Sequence, residues 1–115
     1  MYICFMQKEL LKGTLSSIIL KLLLENDRMY GYQLSQAIKE ITDGAILVKE
    51  GSLYPALFKL KDDGLVTTEE EKNGKRVRRY YSLTNKGHEE TKQRINLIFE
   101  HIQLLQKIFN GYETK

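Results

Sequence analysis

The clearest deficits of this sequence are in cysteine, proline and tryptophan. Among 115 residues it has one cysteine (Cys4), one proline (Pro55) and no tryptophan. A single cysteine excludes a disulfide scaffold within the chain and points to a reducing compartment. No apolar run approaches the roughly 20 residues that a membrane-spanning helix needs. The apolar residues 2–6 lack the preceding basic residues of a signal peptide, so we expect a cytoplasmic protein without a membrane partner.

Residues that would support catalysis or metal binding are equally scarce. The two histidines, His88 and His101, lie on one predicted helix, about 20 Å apart along its axis, so one chain cannot bring both to a metal ion. The sequence contains no HExxH, CxxC or GxSxG pattern and no glycine-rich phosphate loop. We expect no enzyme activity, no catalytic or metal-binding residue and no cofactor.

The length fits one domain, and charge is unevenly distributed within it. The composition, with 42% hydrophobic and 29% charged residues, is ordinary for a globular protein. Residues 72–88 contain six lysines and arginines and no acid, while Asp62, Asp63 and residues 69–71 just before them are acidic. A basic patch beside an acidic one predicts a polarised surface that binds phosphate or an acidic partner. The alternative is a solvated strand pair.

Four stretches repeat apolar residues at three- and four-residue spacing and are predicted to be helices: residues 14–25, 31–42, 52–63 and 86–110. Thr14 and Thr84 are candidate N-caps for the first and last of them. The second helix has Leu34, Ile38 and Ile41 on its apolar face and ends at residues 43–44. The third has its apolar face at residues 53, 56, 57 and 60, places Pro55 in its first turn and ends at residues 63–64.

Between the third and fourth helices the period changes to two, which indicates a β-hairpin. Residues 65–69 and 76–83 are the predicted strands, and Asn73-Gly74 is a strong turn sequence between them. In the second strand, Val77 shares one face with residues 81 and 83. Arg76 and Arg78 share the other face with residue 80. The apolar residues 45–49 form either a loop or a short strand.

The fourth helix carries an apolar seam at alternating three- and four-residue spacing, as in a coiled coil. A helix this apolar needs more cover than a small domain provides, so we predict a homodimer; the alternative is that the helix folds back on its own domain. Residues 2–6 are expected to cover the same seam. The expected dimer interface comprises Leu15, Ile95, Ile98, Phe99, Ile102, Leu105, Phe109 and Tyr112.

The order of elements predicts the fold class. Three short helices followed by a hairpin form the plan of a winged helix-turn-helix, here a mainly α protein with a small β-hairpin and a long C-terminal dimerisation helix. In such a fold the third helix enters the DNA major groove, and the hairpin, called the wing, follows the phosphate backbone. Residues 1–85 are the expected DNA-binding domain, with the N-terminal segment contributing to the dimer, and residues 86–115 the dimerisation helix.

Five segments of the chain resemble the PadR family of transcriptional regulators. They are Leu15 to Leu24, Tyr30-Gly31-Tyr32, Gly51-Ser52-Leu53-Tyr54-Pro55-Ala56-Leu57, Leu60 to Val66, and Arg79-Tyr80-Tyr81-Ser82-Leu83-Thr84-Asn85-Lys86-Gly87. The combination, spanning residues 10–90, is more specific than any one piece. The resemblance implies a dimeric bacterial regulator, usually a repressor, that binds a palindromic operator and answers a small aromatic effector. The single C-terminal helix resembles the family's small subfamily.

The expected DNA-binding residues lie on the second and third helices and on the wing. In the family a tyrosine matching Tyr54 touches DNA, although its ring has the alternative of packing against the second helix. Ser52 lies near the start of the third helix, where the helix N-terminus also favours an anion. The full set is Tyr30, Tyr32, Lys49, Ser52, Tyr54, Lys59, Lys61, Lys75, Arg76 and Arg78.

Other functions remain possible at this point. Some members of the small subfamily stack drugs on a tryptophan between their C-terminal helices, and this sequence has no tryptophan. Phe99, Phe109 or Tyr112 offers a ring instead, with packing at the dimer seam as the alternative role. A winged helix can also serve as a protein-interaction module without DNA activity, or carry a ligand pocket alone, because fold does not fix function.

Overall fold

The computed structural model describes residues 10–112, which form four helices and a three-stranded sheet. The helices are α1 (Leu15–Glu25), α2 (Gly31–Ile41), α3 (Glu50–Asp62) and α4 (Asn85–Phe109). The strands are β1 (Met29–Tyr30), β2 (Val66–Asn73) and β3 (Arg76–Leu83). This order confirms the predicted winged-helix plan. Residues 1–9, including Cys4 and the segment expected to cover the dimer seam, lie outside the described residues.

The hydrophobic core lies between the three short helices and one face of the sheet. Most of its helical members lie on the predicted apolar faces, because residues three and four apart meet on one side of a helix; Leu20, which was not predicted on such a face, is also fully buried. Thirteen aliphatic or methionine residues and one tyrosine are buried: Leu15, Ile19, Leu20, Leu22, Leu23, Met29, Leu34, Ile38, Leu53, Leu57, Leu60, Leu65, Val66 and Tyr81. Within residues 10–112, no helix is long and apolar enough to span a membrane.

Two apolar residues that we predicted on core-facing positions are exposed instead. Ile41 is 67% exposed and Val77 is 52% exposed. Ile41 is the last residue of α2, where the chain turns away from the core. Val77 lies beside the hairpin turn, past the helices that cover the base of the sheet. Periodicity identified the correct face in both cases, but the core does not extend that far along the element.

The hairpin turns one residue later than predicted. Asn73 and Arg76 pair across the strands, so Gly74 and Lys75 form the two-residue turn. Gly74 has a φ of 67°, whereas Lys75 has no positive φ. Glycine at the first central position is typical of a type II′ turn, which matches the twist of the flanking strands. The prediction of Asn73-Gly74 as the turn was therefore wrong by one position.

β1 is a strand that the sequence analysis did not predict. Met29 and Tyr30 pair antiparallel with Tyr81 and Tyr80, which makes β3 the central strand in the order β1-β3-β2. Two residues are too few to carry a periodic pattern. Residues 45–49 form a loop between α2 and α3, so the short strand considered there is absent.

α3 ends as predicted but begins earlier. Gly64 has a φ of 77° and follows the helix, and the Leu65 N–H donates to the Leu60 carbonyl at 2.9 Å, the long bond of a Schellman motif. The helix begins at Glu50, two residues before the predicted start. Pro55 consequently lies in the second turn rather than the first, on the exposed side of the helix.

The two candidate N-caps behave differently. The Thr14 hydroxyl donates to the Leu11 carbonyl at 3.2 Å and makes no capping bond to α1, so this part of the prediction was wrong. The Thr84 hydroxyl accepts from the Gly87 N–H at 3.0 Å, as an N-cap should. It also donates to the Gly64 carbonyl at 2.7 Å, which ties the start of α4 to the end of α3.

α4 contacts the rest of the chain through its first half. Thr91 is fully buried there, and the Arg94 guanidinium donates to the Ser16 hydroxyl of α1 at 3.2 Å. The same guanidinium pairs with Glu90 at 3.0 Å. Beyond Ile98 the helix leaves the body, and every residue from 99 to 112 is exposed.

Candidate nucleic-acid interface

α3 has an outward face bounded by two flanks. Gly51, Pro55 and Phe58 lie on the outward face, opposite the buried leucines, and Phe58 is 73% exposed. Lys49 immediately precedes the helix and is exposed. Glu50 adds a carboxylate to the first turn, so the helix N-terminus is less favourable to an anion than the sequence position of Ser52 suggested.

The two flanks of α3 border different grooves. Ser52 and Lys59 line a groove of about 520 Å³ shared with α1. Tyr54 lines a second groove, of about 350 Å³, between α2 and the wing, together with Tyr30 and Arg78. The structure therefore brings Tyr54, Tyr30 and Arg78 together and separates them from Ser52 and Lys59. Lys61 is exposed seven residues after Tyr54, two helical turns along the same flank.

Tyr54 packs on the start of α2 at Gly31. A Cβ atom at Gly31 would overlap the Tyr54 hydroxyl and approach its Cζ atom to 2.9 Å, so glycine permits this contact. The Tyr54 ring is still 43% exposed. Burial of the ring, followed by the nearby Glu50 carboxylate, raises the pKa of Tyr54. The packing that we considered as the alternative for Tyr54 is thus present, and it leaves one edge of the ring open to a ligand.

Replacement of Gly31 by alanine is expected to displace the Tyr54 ring with little effect on stability. The added methyl group meets the far end of a flexible side chain rather than backbone, so the free energy of unfolding should change by less than about 1 kcal/mol. The pKa of Tyr54 should fall towards its ordinary value as the ring becomes exposed. Tyrosine ¹³Cζ NMR during a pH titration, with Tyr54→Phe for assignment, measures this. An unchanged titration combined with a large drop in Tm would contradict the prediction.

The wing, defined as β2, β3 and their turn, carries exposed cations near its tip. Lys72, Lys75 and Arg76 are exposed, and none forms an ion pair within residues 10–112. Arg78 is half-buried, and its guanidinium carbon lies 4.6 Å from the centroid of the Tyr30 ring, a cation–π contact. Three of the predicted DNA-binding residues of the wing therefore share the sheet's tip. Lys72, which was counted in the basic run but not among the expected DNA-binding residues, lies there too.

The acidic and basic runs do not form separate patches as we predicted. The acids at residues 69–71 lie on β2 beside the basic strand β3, and each of them pairs with an arginine of β3 or of the segment before β1. Arg79 binds Glu70 of β2 at 2.9 Å, and this hydrogen bond is the main cause that raises the pKa of Arg79. Arg28, which precedes β1, binds Glu69 at 3.0 Å and Glu71 at 2.7 Å. The three wing carboxylates are thereby neutralised internally. The strand register places Glu70 opposite Arg79, whereas Glu69 and Glu71 are reached by the long side chain of Arg28.

Arg28, which the sequence analysis missed, contributes to this surface together with Tyr80, which was predicted on the same strand face as Arg76 and Arg78. The Arg28 guanidinium carbon lies 4.0 Å from the centroid of the Tyr80 ring. That ring meets Tyr30 edge-on, with centroids 5.4 Å apart and an interplanar angle of 83°. A continuous row, Arg28–Tyr80–Tyr30–Arg78, follows. Only the pairing of β1 with β3 reveals it, and no local pattern marks that pairing.

The two tyrosines at the start of α2 have different environments. Tyr32 is 63% exposed. Tyr30 belongs to the row just described, and its backbone N–H donates to Gln33 Oε1 at 3.0 Å. Tyr32 thus exposes most of its side chain to a ligand, whereas the Tyr30 ring contacts Arg78 and Tyr80.

The expected dimer residues divide into three groups. Leu15 is only 8% exposed and belongs to the core of its own chain, so it offers little surface to a partner. Ile95 and Ile98 are half-buried against the body. The remaining members form an open apolar stripe: Phe99 (61% exposed), Ile102 (43%), Leu105 (38%), Phe109 (68%) and Tyr112 (76%).

The structure provides no assembled metal-binding cluster within residues 10–112. His88 and His101 are both exposed on α4. In the same range, every fully buried side-chain nitrogen or oxygen has a hydrogen-bond partner.

Comparison with known proteins supports the resemblance seen in the sequence. The sequence model of the transcriptional regulator PadR-like family matches residues 19–93. The transcriptional regulator YqjI of Escherichia coli (strain K12) is 34% identical over 94 residues, which cover 79% of this chain and 44% of that protein. The chain therefore spans less than half the length of this curated relative.

Solved structures of similar proteins share the fold. A transcriptional regulator from Clostridium thermocellum is 31% identical with a TM-score of 0.76, over 92% of this chain and 99% of that chain. Bacillus subtilis PadR in complex with operator DNA is 30% identical with a TM-score of 0.65, over 71% of this chain and 46% of that chain. The family match includes α2, α3 and the whole wing. This chain belongs to the PadR-like family of transcriptional regulators.

Proposed function

We propose that this chain is a sequence-specific DNA-binding repressor that acts as a homodimer on a palindromic operator. Residues 1–85 form the DNA-binding part and residues 86–115 the dimerisation helix. α3 enters the major groove while the wing follows the phosphate backbone. The similarity to Bacillus subtilis PadR in complex with operator DNA supports DNA as the partner.

The observation that carries this proposal is the cluster of uncompensated cations on the wing. Lys72, Lys75, Arg76 and Arg78 have no ion-pair partner within the described residues, whereas the three acids of β2 are all paired. Lysine and arginine side chains of this kind neutralise phosphates and release counterions, which drives binding to DNA. A surface that served only solubility would not require the carboxylates to be masked.

The outward face of α3 is suited to shape and methyl-group recognition. Gly51 and Pro55 present little polar chemistry, and Phe58 is exposed where a thymine methyl group would be contacted. Lys59 and Lys61 flank this face and are positioned for phosphates, although Lys59 also lies 3.6 Å from Asp63. Sequence preference should therefore favour thymine in each half-site.

The open stripe on α4 supports the proposed dimer, because it leaves apolar side chains without cover. A two-fold axis between two such helices would place two α3 helices on one side of DNA. Half-sites about 34 Å apart, one helical turn, are then expected. Operator fragments whose half-site spacing is changed by five base pairs should lose binding, because one α3 would face the wrong side of the duplex.

Fluorescence anisotropy on the DNA upstream of the protein's own gene tests the proposed function. The control is a scrambled duplex of equal length and composition, and both are measured at two salt concentrations. We expect tighter binding to the upstream DNA and a steep decrease with salt. Equal and weak binding to both duplexes would reduce the wing to a general electrostatic surface, and absence of binding at low salt would favour a protein-interaction module.

Replacement of Arg76 or Arg78 by alanine is expected to weaken binding to all DNA sequences to a similar degree. Each lost phosphate contact should reduce the slope of log K against log salt by about 0.9. Lys92→Ala removes an exposed cation of α4 that lies outside the wing. It serves as the matched control and should leave the slope unchanged. Lost sequence preference with an unchanged slope would contradict a phosphate-binding role.

We also propose that a small aromatic effector relieves DNA binding by lodging between the two α4 helices. Phe99, Phe109 and Tyr112 supply exposed rings there. An effector that prefers one separation of the two α3 helices shifts the population away from the DNA-binding state. A panel of aromatic compounds added to the anisotropy assay tests this, and relief should disappear in Phe99→Ala.

A further inference from the structure

Arg28 stretches across the full width of the sheet. It precedes β1 on one edge, its guanidinium covers Tyr80 on the central strand at 4.0 Å, and it reaches Glu69 and Glu71 on the opposite edge. Its hydrogen bond to Glu71 is the first cause that raises the pKa of Arg28. Both terminal nitrogens are engaged by carboxylates, so this guanidinium is poorly available to a further anion.

Glu71 has a second cation within reach. It lies directly opposite Arg78 in the register of β2 and β3. Side chains at directly opposite positions share a face with Cβ atoms about 5 Å apart, where opposite charges attract. Yet Glu71 binds Arg28 at 2.7 Å, while Arg78 lies over the Tyr30 ring and has no ion-pair partner in the described part of the chain. Arg28 and Arg78 therefore compete for one carboxylate, and Arg28 holds it.

We propose that Arg28 is a positioning residue for nucleic-acid binding, which keeps Arg78 free for a phosphate by holding Glu71. This inference rests on the proposed function, because it assigns a role within the wing that contacts DNA. The guanidinium of Arg28 touches no phosphate itself. Without it, Glu71 turns to Arg78 across the strands and neutralises the cation that the wing presents.

Glu69 provides the matched control for this competition. It carries the same charge, also binds Arg28, and lies on the same face of β2, but its opposite residue is Tyr80 rather than Arg78. Loss of Arg28 releases both carboxylates. Only Glu71 is placed to capture Arg78, whereas a general electrostatic effect on DNA would be the same for both.

The experiment uses Arg28→Met, which retains an apolar stem over Tyr80 and removes the charge. Binding to the upstream DNA is measured against salt for Arg28→Met, for Arg28→Met with Glu71→Gln, and for Arg28→Met with Glu69→Gln. We expect Arg28→Met to weaken binding about 5- to 10-fold at low salt and to lower the slope by about 0.9 per protomer. Glu71→Gln should restore affinity and slope, and Glu69→Gln should restore neither. Tm values confirm that each variant is folded.

Each alternative outcome overturns the inference. Equal restoration of DNA affinity by both glutamine substitutions would indicate a general effect of net charge. No restoration by either would indicate that Arg28 contacts DNA directly. Unchanged binding in Arg28→Met would show that Arg28 is not required. Elution of the same variants from a heparin column, a sulfated polyanion, gives a readout that needs no operator. The wild-type protein could show no preference for the upstream DNA while the variants elute from heparin in the expected order. That result would contradict the proposed function but would support the competition of Arg28 and Arg78 for Glu71.

Discussion

Replacing Gly87 by alanine is expected to lower the free energy of unfolding by about 2 kcal/mol. Gly87 lies in the first turn of α4, where a Cβ atom would overlap the Leu65 carbonyl oxygen and lie 3.0 Å from its carbon. The obstacle is backbone, fixed further because the Leu65 carbonyl accepts the Thr84 N–H at 3.1 Å. Overpacking of this kind costs about 1–3 kcal/mol, and it outweighs the better helix propensity of alanine.

Gly51→Ala is the matched control for this prediction. Gly51 is also in the first turn of a helix, but nothing lies within 4 Å of the position that its Cβ atom would take. Alanine should therefore leave stability unchanged or increase it by up to about 1 kcal/mol. Urea unfolding at one fixed protein concentration compares the two variants, since a dimer's stability depends on concentration. Equal stability changes in both would contradict the proposed close packing of α4 on residue 65.

Replacing Ile102 by glutamate is expected to convert the proposed dimer into a monomer. Ile102 belongs to the open stripe on α4 and lies between Phe99 and Leu105. A carboxylate placed at the centre of an apolar interface must be desolvated without a partner, which opposes association. Light scattering should then give the 13.4 kDa mass of one chain rather than twice that mass.

The same substitution should lower affinity for a palindromic operator by about 100-fold or more. Two linked DNA-binding units gain that much because binding of the first raises the effective concentration of the second. Gln103→Glu introduces the same charge one residue further on, away from the seam, and should leave both mass and affinity nearly unchanged. If Ile102→Glu remained a dimer, α4 would not be the dimerisation element. If it became a monomer that bound the operator as tightly as wild type, dimerisation would not contribute to operator binding.

Local patterns in the sequence predicted a helix well where apolar periodicity and a terminating glycine both marked it, as in α3. Leu53, Leu57 and Leu60 are buried on one side of α3, and Gly64 ends that helix with a positive φ, as expected. Such features depend on residues a few positions apart, so periodicity reveals them. Prediction failed for β1, because Met29 and Tyr30 form a strand only through pairing with β3.

The candidate site was predicted only in part, because local features reveal some of its residues while others depend on partners far away in the sequence. Arg76 and Arg78 were identified from their charge and their strand, but Arg28 was missed because its partner Glu71 is 43 positions away. The predicted set of DNA-binding residues also includes both Ser52 and Tyr54. In the structure they border separate grooves, because two positions apart on a helix means nearly opposite flanks.

The sequence by itself determined that this chain is a winged helix with a basic hairpin and an apolar C-terminal helix, since periodicity, turn residues and charge are local properties. Only the tertiary structure decided which charges on the wing are available. The turn at Gly74-Lys75 sets a register in which Glu71 faces Arg78. A turn one residue earlier would have placed Glu69 there, because strand pairing shifts with the turn. The position of one turn and the reach of Arg28 thus determine which cations of the wing remain free.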